Sequence, residues 1–353
     1  MTALYNELPL SAQTAYAQLL DAALGAELLR SVADLPGSFN AKRVKGRTYW
    51  YFQYTEPAGK LRQVYVGPDN EAVQRLMARQ RETPSAARSL GPLARSALAL
   101  GCTGVLPRHW RVIRRLADYG FFHAGGLLIG THAFLACGNM LGLRWGGQER
   151  TQDIDFAHAG KAMSLLLPGD AEVKTDHAIE SLGMGFLPVT GLGGKSGGTY
   201  LIPSEPEFRL DFLTPRHRGG DQPFLHPQLN ITLQPLPFME FSLEKFEQAV
   251  LFCGEGGVLV NVPSPERYTL QELLVFGERT GTFRAKSSKD LAQAACLAAF
   301  LWDHRREALA EALQDLLSRG RGWVARYRQG AAALRRAYPD LEVAERLATA
   351  VAA

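Results

Sequence analysis

Asp153 and Asp155 sit in TQDIDFA with one apolar residue between them, and Asp211 sits in FRLDFL between Leu210 and Phe212. Side chains alternate between the faces of a strand, so Asp153 and Asp155 point the same way while Ile154 and Phe156 turn to the core. Like charges held this close disfavour each other's ionisation unless a cation is shared. Carboxylate oxygens without His or Cys at ligand spacing nearby favour Mg²⁺ or Mn²⁺. An apolar strand has little reason to carry a third carboxylate, Asp211, unless that charge is coordinated. Three carboxylates can hold two metals about 3.5–4 Å apart, which stabilises the attacking and leaving oxygens of an in-line phosphoryl displacement. Asp211 is also placed to help deprotonate an acceptor hydroxyl. The competing reading of the DxD pair is an exposed loop or a calcium-like acidic pair.

Upstream, GLLIGTHAFLA runs from an apolar strand through Gly130 and Thr131 into a helix. Backbone N–H groups at the helix start and the Thr131 hydroxyl can cradle a triphosphate, and Gly130 permits close approach. The alternative is a simple tight turn with a helix cap. GLGGKSGG at 191–198 lacks Walker spacing, because Val189 stands where a glycine is needed and the following segment is strand-like. A glycine hairpin with Lys195 near its tip fits better.

These residues need a scaffold. Residues 10–34 have apolar residues at helical spacing, and strands near 46–54 and 61–66 form a hairpin around Pro57-Ala58-Gly59. Residues 70–99 read as a helix interrupted around Pro84 and Pro92, with the composition of a connecting arm. From Pro107 helices and strands alternate to about residue 263, and beyond Pro265 the periodicity is almost wholly helical. The expected organisation is α+β. An N-terminal helix and hairpin module spans 1–99, a mixed-sheet catalytic domain 100–265, and a C-terminal helical domain 266–353.

The order of strand ending in Gly-Thr, helix, strand with Asp-x-Asp and later strand with Asp resembles the DNA polymerase β-like nucleotidyltransferase superfamily. Within it, LLIGTHAFLACGNMLG, TQDIDFA and FRLDFLTP resemble a bacterial group of stand-alone proteins distantly similar to abortive-infection toxin nucleotidyltransferases. The resemblance covers about residues 107–300. It implies transfer of a nucleoside monophosphate from an NTP to an acceptor hydroxyl, with a toxin-like role within reach. It also implies that ERTGTFRAKSSKDLAQA contacts the nucleotide phosphates, nominating Arg279, Lys286, Lys289 and Asp290. The chain departs from the pattern in having Thr131 where many relatives have serine, and Gln293 where relatives often carry a second acid.

With 46% hydrophobic and 21% charged residues the chain is far from the disordered range. No apolar run of membrane-spanning length and no signal-peptide pattern occurs, so a cytoplasmic location and no membrane partner are expected. Cys102, Cys137, Cys253 and Cys296 have no CxxC spacing and suggest buried thiols. His123, His132, His158 and His177 lack paired ligand spacing and read as structural or surface residues.

The net charge of +4 is too small to establish nucleic-acid binding, but basic residues cluster locally. Lys42, Arg43, Lys45 and Arg47 lie beside Tyr49, Trp50, Tyr51, Phe52 and Tyr54, a combination suited to phosphate contact and base stacking, or else to a hairpin burying its aromatics. Arg108, Arg111, Arg114 and Arg115 recur at helical spacing and could line a channel for an RNA end, or form a solvated face. Three functions follow. The first is a metal-dependent nucleotidyltransferase acting on an RNA or tRNA end or a protein hydroxyl. The second is a retired scaffold that binds nucleic acid or protein. The third is a small-molecule nucleotidyltransferase.

Overall fold

The computed structural model describes residues 3–28, 37–55, 61–82, 86–147, 151–159, 173–190, 196–216, 220–278 and 284–350. The chain opens with β1 (Tyr5–Glu7) and α1 (Leu10–Leu28). A three-stranded antiparallel sheet follows, of β2 (Ser38–Val44), β3 (Arg47–Thr55) and β4 (Leu61–Pro68), then α2 (Glu71–Glu82) and α3 (Ala86–Leu100). The expected two-stranded hairpin is thus a three-stranded sheet. Ser38–Val44 is poor in β-branched and aromatic residues, yet it pairs with β3 through a two-residue turn at Lys45-Gly46. Both turn residues have positive φ, +50° and +78°, the geometry that matches the twist of paired strands.

The reading of residues 86–99 as an arm is also corrected. Leu90, Ala94 and Ala97 of α3 are buried with Ala12, Tyr16 and Leu19 of α1. Pro92 lies inside α3 without ending it. Tertiary burial of the apolar face outweighs the hydrogen bond that proline removes.

Next come α4 (Pro107–Asp118), β5 (Gly126–Ile129), α5 (Gly130–Met140), β6 (Leu143–Trp145), β7 (Ile154–His158), α6 (Thr175–Glu180), β8 (Leu187–Thr190), β9 (Ser196–Ile202), β10 (Glu205–Pro215), β11 (Phe224–His226) and β12 (Ile231–Leu236). They build a mixed seven-stranded sheet in the order β11-β12-β10-β7-β5, with β9 also paired to β10 and β8 to β9. β10 runs parallel to β7 and β12, while β5 is antiparallel to β7. β1 pairs with β6, tying the start of the chain to this region.

A short helix α7 (Glu240–Leu243) leads to β13 (Phe246–Cys253) and β14 (Gly256–Pro263). These two strands form their own antiparallel pair rather than extending the large sheet to residue 263. α1 and α3 pack on that pair, through Val250 and Phe252. The helices α8 (Pro265–Glu278), α9 (Arg284–His304), α10 (Arg306–Ser318), α11 (Arg321–Ala337) and α12 (Glu342–Thr349) complete the fold, and their apolar faces share one core with the large sheet. The architecture is α+β. Among the described residues no helix is long and apolar enough to cross a membrane.

Candidate functional site

β7 and β10 are neighbouring parallel strands in a register that sets Asp155 directly opposite Asp211 and Phe156 opposite Phe212. The two phenylalanines stack with centroids 5.1 Å apart at 15°. Phe121 meets both edge-on, at 5.5 and 6.0 Å. This buried aromatic layer fixes the strands, and the opposite face presents acids. Asp153 stands one residue before β7 rather than inside it, yet the alternation of buried and accessible residues continues through it. One oxygen from each of Asp153, Asp155 and Asp211 lies within 4.8 Å of the other two.

Threonine hydroxyls orient two of these carboxylates. Thr151 Oγ1 donates to Asp153 Oδ1. Thr199, opposite Asp211 in the β9–β10 register, donates to Asp211 Oδ1 at 2.6 Å. The other oxygens face a cation. Arg209 Nε is 3.1 Å from Asp211 Oδ2, and its Nη2 is 3.5 Å from Asp153 Oδ2. Thr151, Thr199 and Arg209 escaped the sequence reading. Thr151 and Arg209 each lie two residues before an aspartate, so period-two alternation was a usable signal, whereas Thr199 becomes visible only through strand pairing.

Gly130 is the first residue of α5 and has φ +60°. A Cβ there would come within 2.4 Å of Asp155 Oδ2, so both backbone conformation and space require glycine. The start of α5 therefore abuts the acidic face, with its first-turn N–H groups at that end. Thr131 is buried, and its Oγ1 accepts from Gln293 Nε2 at 3.4 Å. The Tyr268 hydroxyl is within hydrogen-bond distance of both Gln293 Oε1, at 2.8 Å, and the Gly130 carbonyl, at 3.0 Å. Burial pushes the Tyr268 phenol well up, keeping it a neutral donor. Gln293 thus buttresses the strand-to-helix corner from α9, a position an ionised acid would fill at a desolvation cost.

α9 also carries Lys289, close enough to His132 to act on its charge, and the buried Asp290. Arg279, Lys195 and the side chain of Lys286 lie outside the described residues. Arg108 reaches the same rim. It lies 4.5 Å over the Phe208 ring and pairs with Glu205 at 3.2 Å and with Gln152. Arg114 pairs instead with Asp118 at 2.9 Å, and Arg111 is exposed.

Beneath the rim, His109 Nδ1 and His132 Nε2 meet at 3.0 Å in a buried pair. Burial holds His109 down to about 4, with Arg108 contributing, and His132 down to about 3, with His109 contributing. Both are neutral near pH 7, and one must donate to the other. His158 bonds to the Ala124 carbonyl at 2.9 Å, and His123 Nε2 lies 2.7 Å from Glu27. All four cysteines are buried free thiols.

The acidic face fits a hard divalent ion. Such ions take carboxylate oxygens at about 2.0–2.6 Å, so three oxygens this close can converge on one ion with little side-chain movement.

On the small sheet, alternation separates two faces. Phe52 is buried and meets Phe39 edge-on at 5.2 Å. The other face carries Tyr49, Tyr51 and Tyr65, with Tyr51 and Tyr65 at 5.5 Å and Lys42 4.5 Å over the Tyr51 ring. Lys42, Arg43, Lys45 and Arg47 are exposed. Trp50 is half-buried and donates to Asp69.

A family model described as nucleotidyltransferase matches residues 108–318, more than half of the chain. A second, a domain of unknown function (DUF6788), matches residues 15–75. No curated protein matches. One solved structure, an antigenic nucleotidyltransferase-like protein from Paracoccidioides brasiliensis, is 14% identical over 70% of this chain and 99% of that one, with a TM-score of 0.35. That likeness is too distant to transfer a residue or a role.

Proposed function

The chain belongs to the nucleotidyltransferase family, and from that premise we propose that it is a metal-dependent enzyme moving a nucleoside monophosphate from an NTP to an acceptor hydroxyl. The observation that carries this reading is the convergence of Asp153, Asp155 and Asp211 within 4.8 Å on one edge-to-edge strand pair. These residues would hold Mg²⁺ or Mn²⁺, which when bound neutralises charge on the attacking and leaving oxygens.

The chain's own groups do the rest. Thr151 and Thr199 hold two carboxylates in a fixed orientation before any substrate arrives. Gly130 lets Asp155 lie against the start of α5, bringing the acidic face beside backbone N–H groups that suit the phosphates. Thr131 supplies a hydroxyl at the same corner, and Lys289, with Arg279 and Lys286 from the same segment, supplies positive charge to the triphosphate. The acceptor oxygen attacks the α-phosphorus as the bond to the pyrophosphate oxygen breaks, and Asp211 takes the acceptor proton. The experiment is incubation of the purified protein with Mg²⁺ or Mn²⁺, each α-labelled NTP and cell lysate. Label should pass to an acceptor, and Asp155→Ala should abolish it. Absence of labelling from all four NTPs would sink the reading.

The face of the small sheet that carries half-buried Tyr49 and Tyr51, exposed Tyr65 and Lys42 favours an RNA or tRNA end over a protein or small molecule as acceptor, because clustered rings beside cations suit bases and phosphates. α1 and α3 bury apolar residues against β13–β14, so point substitutions on this sheet test the acceptor better than removal of the N-terminal segment. Labelling of a protein band, with RNA untouched, would overturn the acceptor assignment. A toxin-like role would show as growth arrest on induction that Asp155→Ala relieves.

A further inference from the structure

We infer that Arg209 is the resident counter-ion of the three-aspartate site, and that a divalent ion binds there by displacing its guanidinium. The inference rests on the reading of Asp153, Asp155 and Asp211 as a cation site. Arg209 lies on β10 two residues before Asp211, so the strand itself aims both side chains at one face. Its Nε and Nη2 approach Asp211 Oδ2 and Asp153 Oδ2, the two oxygens left over by the threonine hydroxyls. The side chain thus spans β7 and β10 and occupies the side from which an ion would gather those same oxygens.

The contact is suited to exchange. The Nε approach to Asp211 is not aligned as a hydrogen bond, and the Nη2 contact is at the long limit of 3.5 Å. The Arg209 side chain is 36% exposed, against 18% for Asp153 and 16% for Asp211, so its outward path is open while the carboxylates stay fixed. Nε itself is buried without a hydrogen-bond partner, so its lost hydration is not recovered in the contact, and an ion of higher charge density can take its place. Arg209 is a positioning residue: it draws Asp153 and Asp211 together at rest, and it lowers the affinity for the ion. Once displaced it remains tethered at the rim as a cation facing any incoming phosphate, so ion binding and phosphate binding reinforce each other.

The test measures Mn²⁺ binding without nucleotide, from the resonance of free Mn²⁺, for wild type, Arg209→Gln, Arg209→Lys and Asp153→Asn. Arg209→Gln should bind Mn²⁺ about tenfold more tightly, the change expected from removing one nearby positive charge at a partly solvated site. Arg209→Lys, which keeps the charge, should stay near wild type, and Asp153→Asn should bind weakly. In thermal unfolding, Arg209→Gln should melt lower than wild type without ion and gain more from added Mn²⁺. A merely structural arginine would lower both stability and affinity. Equal or weaker binding by Arg209→Gln beside normal binding by wild type overturns the counter-ion role and leaves the metal site standing. No binding by any variant overturns both.

Discussion

The two main sheets use the same alternation for opposite ends. In the seven-stranded sheet the aromatics Phe156 and Phe212 are buried and stacked, and the facing positions hold Asp155 and Asp211 in register. In the three-stranded sheet Phe52 is the buried ring, while Tyr49, Tyr51 and Tyr65 stay on the open face with Lys42. The large sheet holds its carboxylates at fixed separation and largely out of water, where they act strongly on a cation. A small sheet with one covered face keeps its charges in water, where they suit steering and stacking. Under the proposed function, one region serves the chemistry and the other the contact with the acceptor.

The strongest test of that division is Asp155→Ala, which should lower NMP transfer by about 10³-fold or more, as expected for loss of a shared metal ligand, with RNA binding measured by filter retention unchanged. A loss of RNA binding in the same variant would join the two regions. Gly130→Ala acts on the chemical sheet alone. Its Cβ meets Asp155 at 2.4 Å and its φ is +60°, so a destabilisation of about 1–3 kcal/mol is expected, read by urea titration, together with weaker Mn²⁺ binding. Wild-type stability in that variant would show that the corner relaxes.

On the contact sheet, Tyr51→Ala or Tyr65→Ala should weaken single-stranded RNA binding by about tenfold, corresponding to roughly 1–3 kcal/mol per stacked base. Melting temperature should hold, and so should transfer to a small diffusible acceptor. Unaltered RNA affinity would remove this face from the acceptor site. The last effect is on pH. His109 and His132 are held near 4 and 3 by burial, below the ordinary 6.5 of an imidazole. The unfolded chain therefore binds more protons between pH 6.5 and about 4, so stability is full above 6.5 and falls as pH drops through that window. One imidazole contributes at most about 1.4 kcal/mol per pH unit there. His109→Phe should flatten the slope in a melting series from pH 7 to 5. The small sheet, which contains no histidine between residues 38 and 68, should add nothing to it.

The local pattern of the chain was enough to place Asp155 and Asp211 on two strands with Asp153 just ahead of the first, the Gly130-Thr131 corner before them and the helices after Pro265, because periods of 2 and 3.6 are written within a few residues. Composition misled where burial came from distant partners. SFNAKRV has only Phe39 and Val44 as usual strand residues but gains a partner across a two-residue turn, and the α3 segment reads as an arm but is covered by α1 and β14. The aspartates' neighbours were half legible: Thr151 and Arg209 are in step with them along the chain, while Thr199 meets Asp211 across strands, and Gln293 meets Thr131 from 162 residues away. Sequence settled which groups exist and which faces they occupy. Only tertiary packing decided which atoms converge, because strand register and helix docking depend on contacts between segments far apart in the chain.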